Sequence, residues 1–165
     1  MKYVTVPVCG IPVLEREICS LREQGFKDII LTVGYKAGKI IHHFGNGRKY
    51  GVHIDYFVEK EPLGNAGALF QMKDKLTEDF LLLNADAMFN VDFNRFVEFH
   101  KSHNGLVTLF THPNNHPYDS GLIIANQDRQ VDQWLSKEDK RPGGNRSALW
   151  LLFSSVSYTH LRPHE

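Results

Sequence analysis

The feature that most constrains this chain is the way short apolar runs take turns with segments of helical period. "KDIILTVGY" and "DFLLLNAD" are continuous apolar runs of strand length, a form that suits strands covered on both faces of a parallel sheet. Ahead of the first, "IPVLEREICSLREQGF" sets Leu14, Ile18 and Leu21 at helical spacing, with Pro12 early and Gly25 as a stop. "KAGKIIHHFGNG" carries Ile40, Ile41 and Phe44 on one side and breaks at Gly45, and "VHIDYFVE" alternates as a strand. A helix follows with Ala66, Leu69, Phe70 and Leu76 as its apolar stripe. "VDFNRFVEFHKSH" adds another, with Asp92 as N-cap and Phe93, Phe96 and Val97 facing inward. This alternation predicts right-handed βαβ units, hence a three-layer α/β domain on a mainly parallel sheet. Beyond "GLVTLFTH", the segments "GLIIAN" and "QVDQWLS" predict a short antiparallel extension.

Composition narrows the function classes. The 165 residues, 42% of them hydrophobic, suffice for one domain with a substantial core. Lys plus Arg and Asp plus Glu both number 19, so no excess charge draws the molecule to nucleic acid or anionic membrane, and any anion must be held locally. Cys9 and Cys19 form no CxxC pair, which excludes a cysteine-rich zinc module and fits structural thiols in a reducing interior. No apolar run approaches membrane-spanning length and no signal-peptide pattern opens the chain, so a cytoplasmic protein is expected. His112 and His116 stand four apart, but Pro113 and Pro117 deny the helix that would align them.

Two stretches stand out. "EPLGNAG" follows the strand over 52–58 and opens into a helix, the place where ligands gather in α/β sheets. Gly64 and Gly67 would let a flat base or a phosphate approach the backbone, and Asn65 is a candidate helix cap. A plain glycine turn remains the alternative. Asp86 ends the apolar strand "DFLLLNAD", so its carboxylate is expected at the sheet rim, either to bind Mg²⁺ or merely to form a turn.

The segments "VPVCGIPVLEREI", "DIILTVGY", "YFVEKEPLGNAGAL", "DFLLLNADAMFNVDF" and "LVTLFTHPNNHPYDSGLI" together resemble the sugar 1-phosphate nucleotidyltransferase family, in particular bacterial mannose or heptose 1-phosphate guanylyltransferase-like proteins. The resemblance runs from about residue 6 to about 142. It implies a Rossmann-like sheet of the nucleotidyltransferase type without its usual first strand. It also implies a reaction joining a nucleoside triphosphate, with GTP the expected nucleotide, to a sugar 1-phosphate, giving a nucleoside diphosphate sugar and pyrophosphate. By resemblance Glu61, Leu63, Gly64, Asn65 and Gly67, with Asn84, bind the nucleotide. Asp86 is catalytic and holds Mg²⁺ near the α-phosphate. Lys137 in "WLSKED" is the candidate for the sugar phosphate, with Ser136 in place of the family's glutamate.

Departures from the family pattern are equally plain. No GGxGTRLxP segment occurs, Lys2 is one position out of register with the family lysine, Ala85 replaces a usual glycine beside Asp86, and Gly121 stands where aspartate is common. No downstream aspartate matches the family's second metal ligand. The expected organisation is a partial nucleotidyltransferase domain over 1–153 and a non-native or disordered tail over 154–165. The chain is accordingly expected to be a fragment with little turnover; the alternative is a non-catalytic nucleotide-binding or regulatory module. Nucleic acid and membrane are not expected as partners, and oligomeric state is not legible.

Overall fold

The computed structural model describes residues 7–61, 64–103, 105–113, 122–136, 139, 147–148 and 153–156. These fall into two compact units. One comprises the described residues up to Asp79 together with 84–103; the other comprises 80–83 and the described residues from 105 to 156.

In the first unit a short hairpin of β1 (Pro7–Val8) and β2 (Ile11–Pro12) turns through Cys9 and Gly10 and leads into helix α1 (Val13–Glu23). Leu14, Ile18 and Leu21 are buried as their spacing predicts. The helix ends at Gly25, whose φ is +95°. Gly25 N donates to Arg22 O at 3.0 Å and Phe26 N to Leu21 O at 2.9 Å, a glycine-dependent pair of bonds that satisfies the last free carbonyls. β3 (Asp28–Val33) follows, then α2 (Ala37–Phe44), a 3₁₀ turn over Arg48–Tyr50, and β4 (His53–Val58).

β3 and β4 pair in parallel along their whole length, from Asp28 opposite His53 to Val33 opposite Val58. Leu14, Ile18, Leu31, Val33, Ile40, Phe44, Tyr50, Val52 and Ile54 form one buried cluster, which locks α1 and α2 onto this pair. The expectation that β3 is covered on both faces is not met: Leu31 and Val33 are buried while Ile30 and Thr32 are exposed. A run of apolar residues does not report which face has a partner.

Helix α3 (Gly64–Gln71) is shorter than its sequence suggests, and its inward face differs. Ala68 (5% exposed) and Met72 (4%) are buried, whereas Phe70 is 68% exposed. Residues four apart share a helix face and residues two apart do not, so burying Ala68 and Met72 turns Phe70 outward. Helix α4 (Phe93–His103) buries Phe93 as expected and also His100, four and three residues beyond the half-buried Phe96 and Val97. Arg95 N donates to Asp92 Oδ1 at 3.0 Å, the expected cap. Asp92→Ala should therefore cost about 1 kcal/mol of stability; urea unfolding of the two proteins measures it, and an unchanged midpoint would refute the cap's contribution.

The second unit holds β5 (Phe80–Leu83), β6 (Val107–Leu109), β7 (His112–Pro113), β8 (Leu122–Ala125), β9 (Val131–Leu135), β10 (Ser147–Ala148) and β11 (Phe153–Val156). β11 lies between β5 and β6 and is antiparallel to both, so β5 and β6 run the same way. β7 and β10 pair antiparallel. β8 and β9 form the expected antiparallel hairpin, with a register shift at Ile124 and Ala125. The boundary expected after residue 153 falls inside β11: residues 154–156 pair with Leu82, Leu81 and Phe80 on one side and with Leu109, Thr108 and Val107 on the other. Strand pairing is made by backbone groups, which a side-chain pattern does not announce. Among the described residues no helix is long and apolar enough to cross a membrane.

Candidate functional site

The carboxyl ends of β3 and β4 open side by side, because Val33 stands opposite Val58. There Glu59 N donates to Val33 O at 2.8 Å, and Glu59 Oε2 lies 3.7 Å from the point where a Cβ on Gly34 would stand. The chain continues through the exposed Lys60 and Glu61 toward α3. Gly64 is the first residue of α3 and Asn65 the second, so Asn65 lies within the first turn instead of capping it. Gly67 is half-buried in the same helix. Leu63 lies outside the described residues, as do Gly121 and Lys137. The candidate base loop thus starts at the carboxyl end of a parallel strand, and α3 begins at its Gly64; the first turn of a helix offers free amides to an anion or a base edge.

Asp86 comes from a turn directly after β5, in which Ala87 N donates to Asn84 O at 3.3 Å. Asn84 and Asp86 are exposed, while Ala85 packs against the buried cluster of α1, α2, β3 and β4. Farther along, Gln24 at the end of α1 clamps the same segment. Its Nε2 donates to Val91 O at 3.1 Å, and its Oε1 accepts from Phe93 N at 2.7 Å. Asn94 Nδ2 donates to Gln24 O at 3.0 Å, and Phe26 meets the Phe93 ring edge-on at 6.3 Å. Both ends of the stretch 85–93 are therefore tied to α1 or to the cluster it helps to form, which limits where the Asp86 carboxylate can go.

α1 also carries a residue that pattern reading passed over. Glu17 is only 7% exposed. It follows Leu14 by three and precedes Leu21 by four, and so shares their inward face. Among the described residues neither of its carboxylate oxygens has a hydrogen-bond partner. Burial, and secondly the charge of Asp86, push its carboxyl up from 4.5 to about 8. The signal was present as an acidic residue at a helical spacing otherwise occupied by leucine and isoleucine. Elsewhere on α1, Glu15 Oε2 accepts from Tyr50 Oη at 3.4 Å and lies 3.4 Å from His43 Nε2, so the neighbouring acid is already engaged.

The chemistry on offer at Asp86 is that of hard oxygen donors. Among the described residues no group of three or more histidines, cysteines and acids gathers, and Cys9 and Cys19 are free thiols. An exposed carboxylate is a hard oxygen donor, of the kind that hard divalent cations take.

The nucleotidyl transferase family model matches residues 2–149. Mannose-1-phosphate guanyltransferase 2 of Candida glabrata is 34% identical over 158 residues, covering 92% of this chain and 44% of that protein. D-glycero-alpha-D-manno-heptose 1-phosphate guanylyltransferase of Aneurinibacillus thermoaerophilus is 34% identical over 126 residues, covering 76% of this chain and 54% of its own length. The chain thus spans about half the length of the curated relatives it matches. Among solved structures, HddC from Yersinia pseudotuberculosis complexed with GMP-PN superposes with a TM-score of 0.77 at 22% identity, over 95% of this chain and 68% of that one. That likeness shows the same fold. A family match over nearly the whole chain, with relatives 34% identical, means that the chain belongs to the nucleotidyl transferase family, the sugar 1-phosphate nucleotidyltransferases that its sequence resembles.

Proposed function

We propose that this chain supplies the nucleotide-binding and cation-binding part of a sugar 1-phosphate guanylyltransferase. In that reaction an oxygen of the sugar 1-phosphate attacks the α-phosphorus of GTP. A new P–O bond forms, the bond to the β-phosphate oxygen breaks, and pyrophosphate leaves with the displaced electron pair. The observation that carries the reading is a single chain, matched to the family over residues 2–149, holding both "EPLGNAG" at the carboxyl end of β4 and Asp86 just after β5. Guanine as the base agrees with the curated relatives, which are named as guanyl- or guanylyltransferases.

The roles follow from chemistry. Glu61, Leu63, Gly64, Asn65 and Gly67, with Asn84, would bind the base and its ribose, the glycines leaving the backbone open to a flat ring. Asp86 would hold a divalent cation, Mg²⁺ being the natural choice for oxygen donors. When bound, that cation neutralises phosphate oxygens that would otherwise repel an anionic nucleophile. Lys137 would orient the sugar phosphate by its charge. A cytoplasmic setting, where nucleotide and sugar phosphate are both available, completes the reading.

Two measurements test it. Titration calorimetry with GTP and Mg²⁺ should give saturable binding that Asp86→Asn weakens about tenfold or more; no binding of GTP or any other nucleoside triphosphate would remove the proposal. Because no GGxGTRLxP segment occurs in these residues, pyrophosphate release with mannose or heptose 1-phosphate should stay near background. Losing one preorganised charge-stabilising group commonly costs about a hundredfold or more in rate, so robust turnover would show that the triphosphate is cradled by other residues.

A further inference from the structure

We propose that Gln24 is a positioning residue for Asp86: its side-chain amide fixes the register in which the stretch 85–93 lies along the first unit, and so keeps the Asp86 carboxylate on the outward side, where it can take a divalent cation. The inference rests on the reading of Asp86 given above and adds to it a residue from a different element, which acts through the backbone.

The grip of Gln24 is a two-point one. Its Nε2 donates to Val91 O at 3.1 Å and its Oε1 accepts from Phe93 N at 2.7 Å, the pair of bonds that a neighbouring peptide unit makes around one residue of a parallel strand. Both bonds fall on main-chain atoms, so they read the register of the segment and not the identity of its side chains. Phe93 is the first residue of α4, and its amide is one that the helix itself leaves without a partner. The clamp is steadied from two sides: Gln24 Nε2 also donates to Ser20 Oγ at 3.4 Å, and Gln24 O accepts from Asn94 Nδ2 at 3.0 Å.

Register matters here because exposure alternates along the segment. Asp86, Met88, Asn90 and Asp92 are exposed, whereas Ala85, Ala87, Phe89 and Val91 are half-buried and Phe93 is buried. With a period of two, a slip of one residue exchanges the two sets. It would carry Asp86 into the place of an alanine, beside the cluster of Leu14 and Ile18 on which Ala85 packs, and withdraw the carboxylate from any cation. β5 ends at Leu83 and α4 begins at Phe93, so neither a strand ladder nor a helix sets the register between them. Ala85 and Ala87 are small and bury little apolar area, which makes them weak anchors by themselves. The two bonds from Gln24, next to the buried Phe93, supply the anchor that these alanines do not.

Calorimetric titration of the full chain with GTP, once with Mg²⁺ and once with a chelator in its place, separates positioning from general support. Gln24→Met keeps the length of the side chain and removes both bonds; Gln24→Ala is the second variant, and circular dichroism and urea unfolding check that each is folded. Both should weaken GTP binding about fivefold or more in Mg²⁺ and leave the metal-free affinity unchanged, as Asp86→Asn should. Adding Gln24→Met to Asp86→Asn should cost no further affinity, because the two act on one ion. Asn94→Ala, which cuts the neighbouring bond between α1 and α4 but leaves the clamp, should bind like the wild type. If the folded Gln24 variants keep the full gain from Mg²⁺ while Asp86→Asn loses it, Gln24 positions nothing and the reading of Asp86 stands. Equal weakening with and without Mg²⁺, or an equal loss in Asn94→Ala, would reduce Gln24 to general support of the fold and overturn the proposal. If Mg²⁺ adds nothing to GTP binding by the wild type, or Asp86→Asn keeps that gain, both readings fall.

Discussion

Replacing Glu17 with methionine should stabilise the protein more and more as the pH rises from 4.5 to 8. The carboxyl of Glu17 ionises near 4.5 when exposed and at about 8 in the fold. Below the lower value it is neutral in both states and contributes no pH dependence. Between the two the unfolded chain has released a proton that the folded chain still holds, so stability falls with rising pH. Above 8 the buried anion carries its full penalty, which for a shift of this size is on the order of 5 kcal/mol. Methionine fills similar volume without charge or unpaired oxygen, and the replacement of buried unpartnered ionic groups by apolar ones of like shape is commonly stabilising. Urea unfolding at pH 5 and pH 9 would show the gap between variant and wild type widening by several kcal/mol. An equal gap at both pH values would mean that Glu17 is solvated or paired in solution.

Gly47→Ala should destabilise the fold by about 3 kcal/mol or more, far beyond the ordinary effect of alanine at a turn. Gly47 has φ +82°, and a Cβ there would stand 2.7 Å from Ile54 Cγ1, 2.8 Å from Val52 O and 2.9 Å from Val52 Cγ2. Val52 and Ile54 belong to the buried cluster, and Gly47 O accepts from Tyr50 N at 2.8 Å and Val52 N at 3.3 Å. Neither the carbonyl nor the two side chains can retreat without disturbing the core or these bonds. Gly51 provides the control, since its φ is +75° but its Cβ would meet only the flexible Arg22 side chain, at 3.1 Å. Gly51→Ala should therefore cost only about 1 kcal/mol, the backbone strain alone. Equal losses at the two positions would refute the steric account. The consequence reaches the site, because β4 begins at His53 and ends just before Glu59, where the candidate base loop starts.

Much of the architecture was legible because local period and local stops decide it. α1, α2 and α4 follow from apolar spacing, from Gly25 and Gly45, and from the Asp92 cap; β3, β4 and the β8–β9 hairpin follow from runs and alternation. The candidate site was legible in part for the same reason. "EPLGNAG" and the abrupt end of "DFLLLNAD" at Asp86 are local irregularities in an otherwise regular chain. Where the reading failed, the missing information was the partner. Phe70 looked like core and is exposed, because Ala68 and Met72 occupy the inward face of α3. Ile30 sits in an apolar run and yet faces out.

By itself, then, the sequence determined which stretches form α1, α2, α4, β3 and β4, that strands and helices alternate there, and which loop and which aspartate interrupt the pattern. Those are properties of neighbours along the chain, governed by spacing, by glycine and proline, and by caps. Only the tertiary structure decided which face of α3 is inward, which strand separates β5 from β6, and that Glu17 is buried with neither oxygen partnered among the described residues. Burial and electrostatic coupling belong to pairs of residues brought together from distant positions, and a carboxylate's cost or use is set by what surrounds it in space.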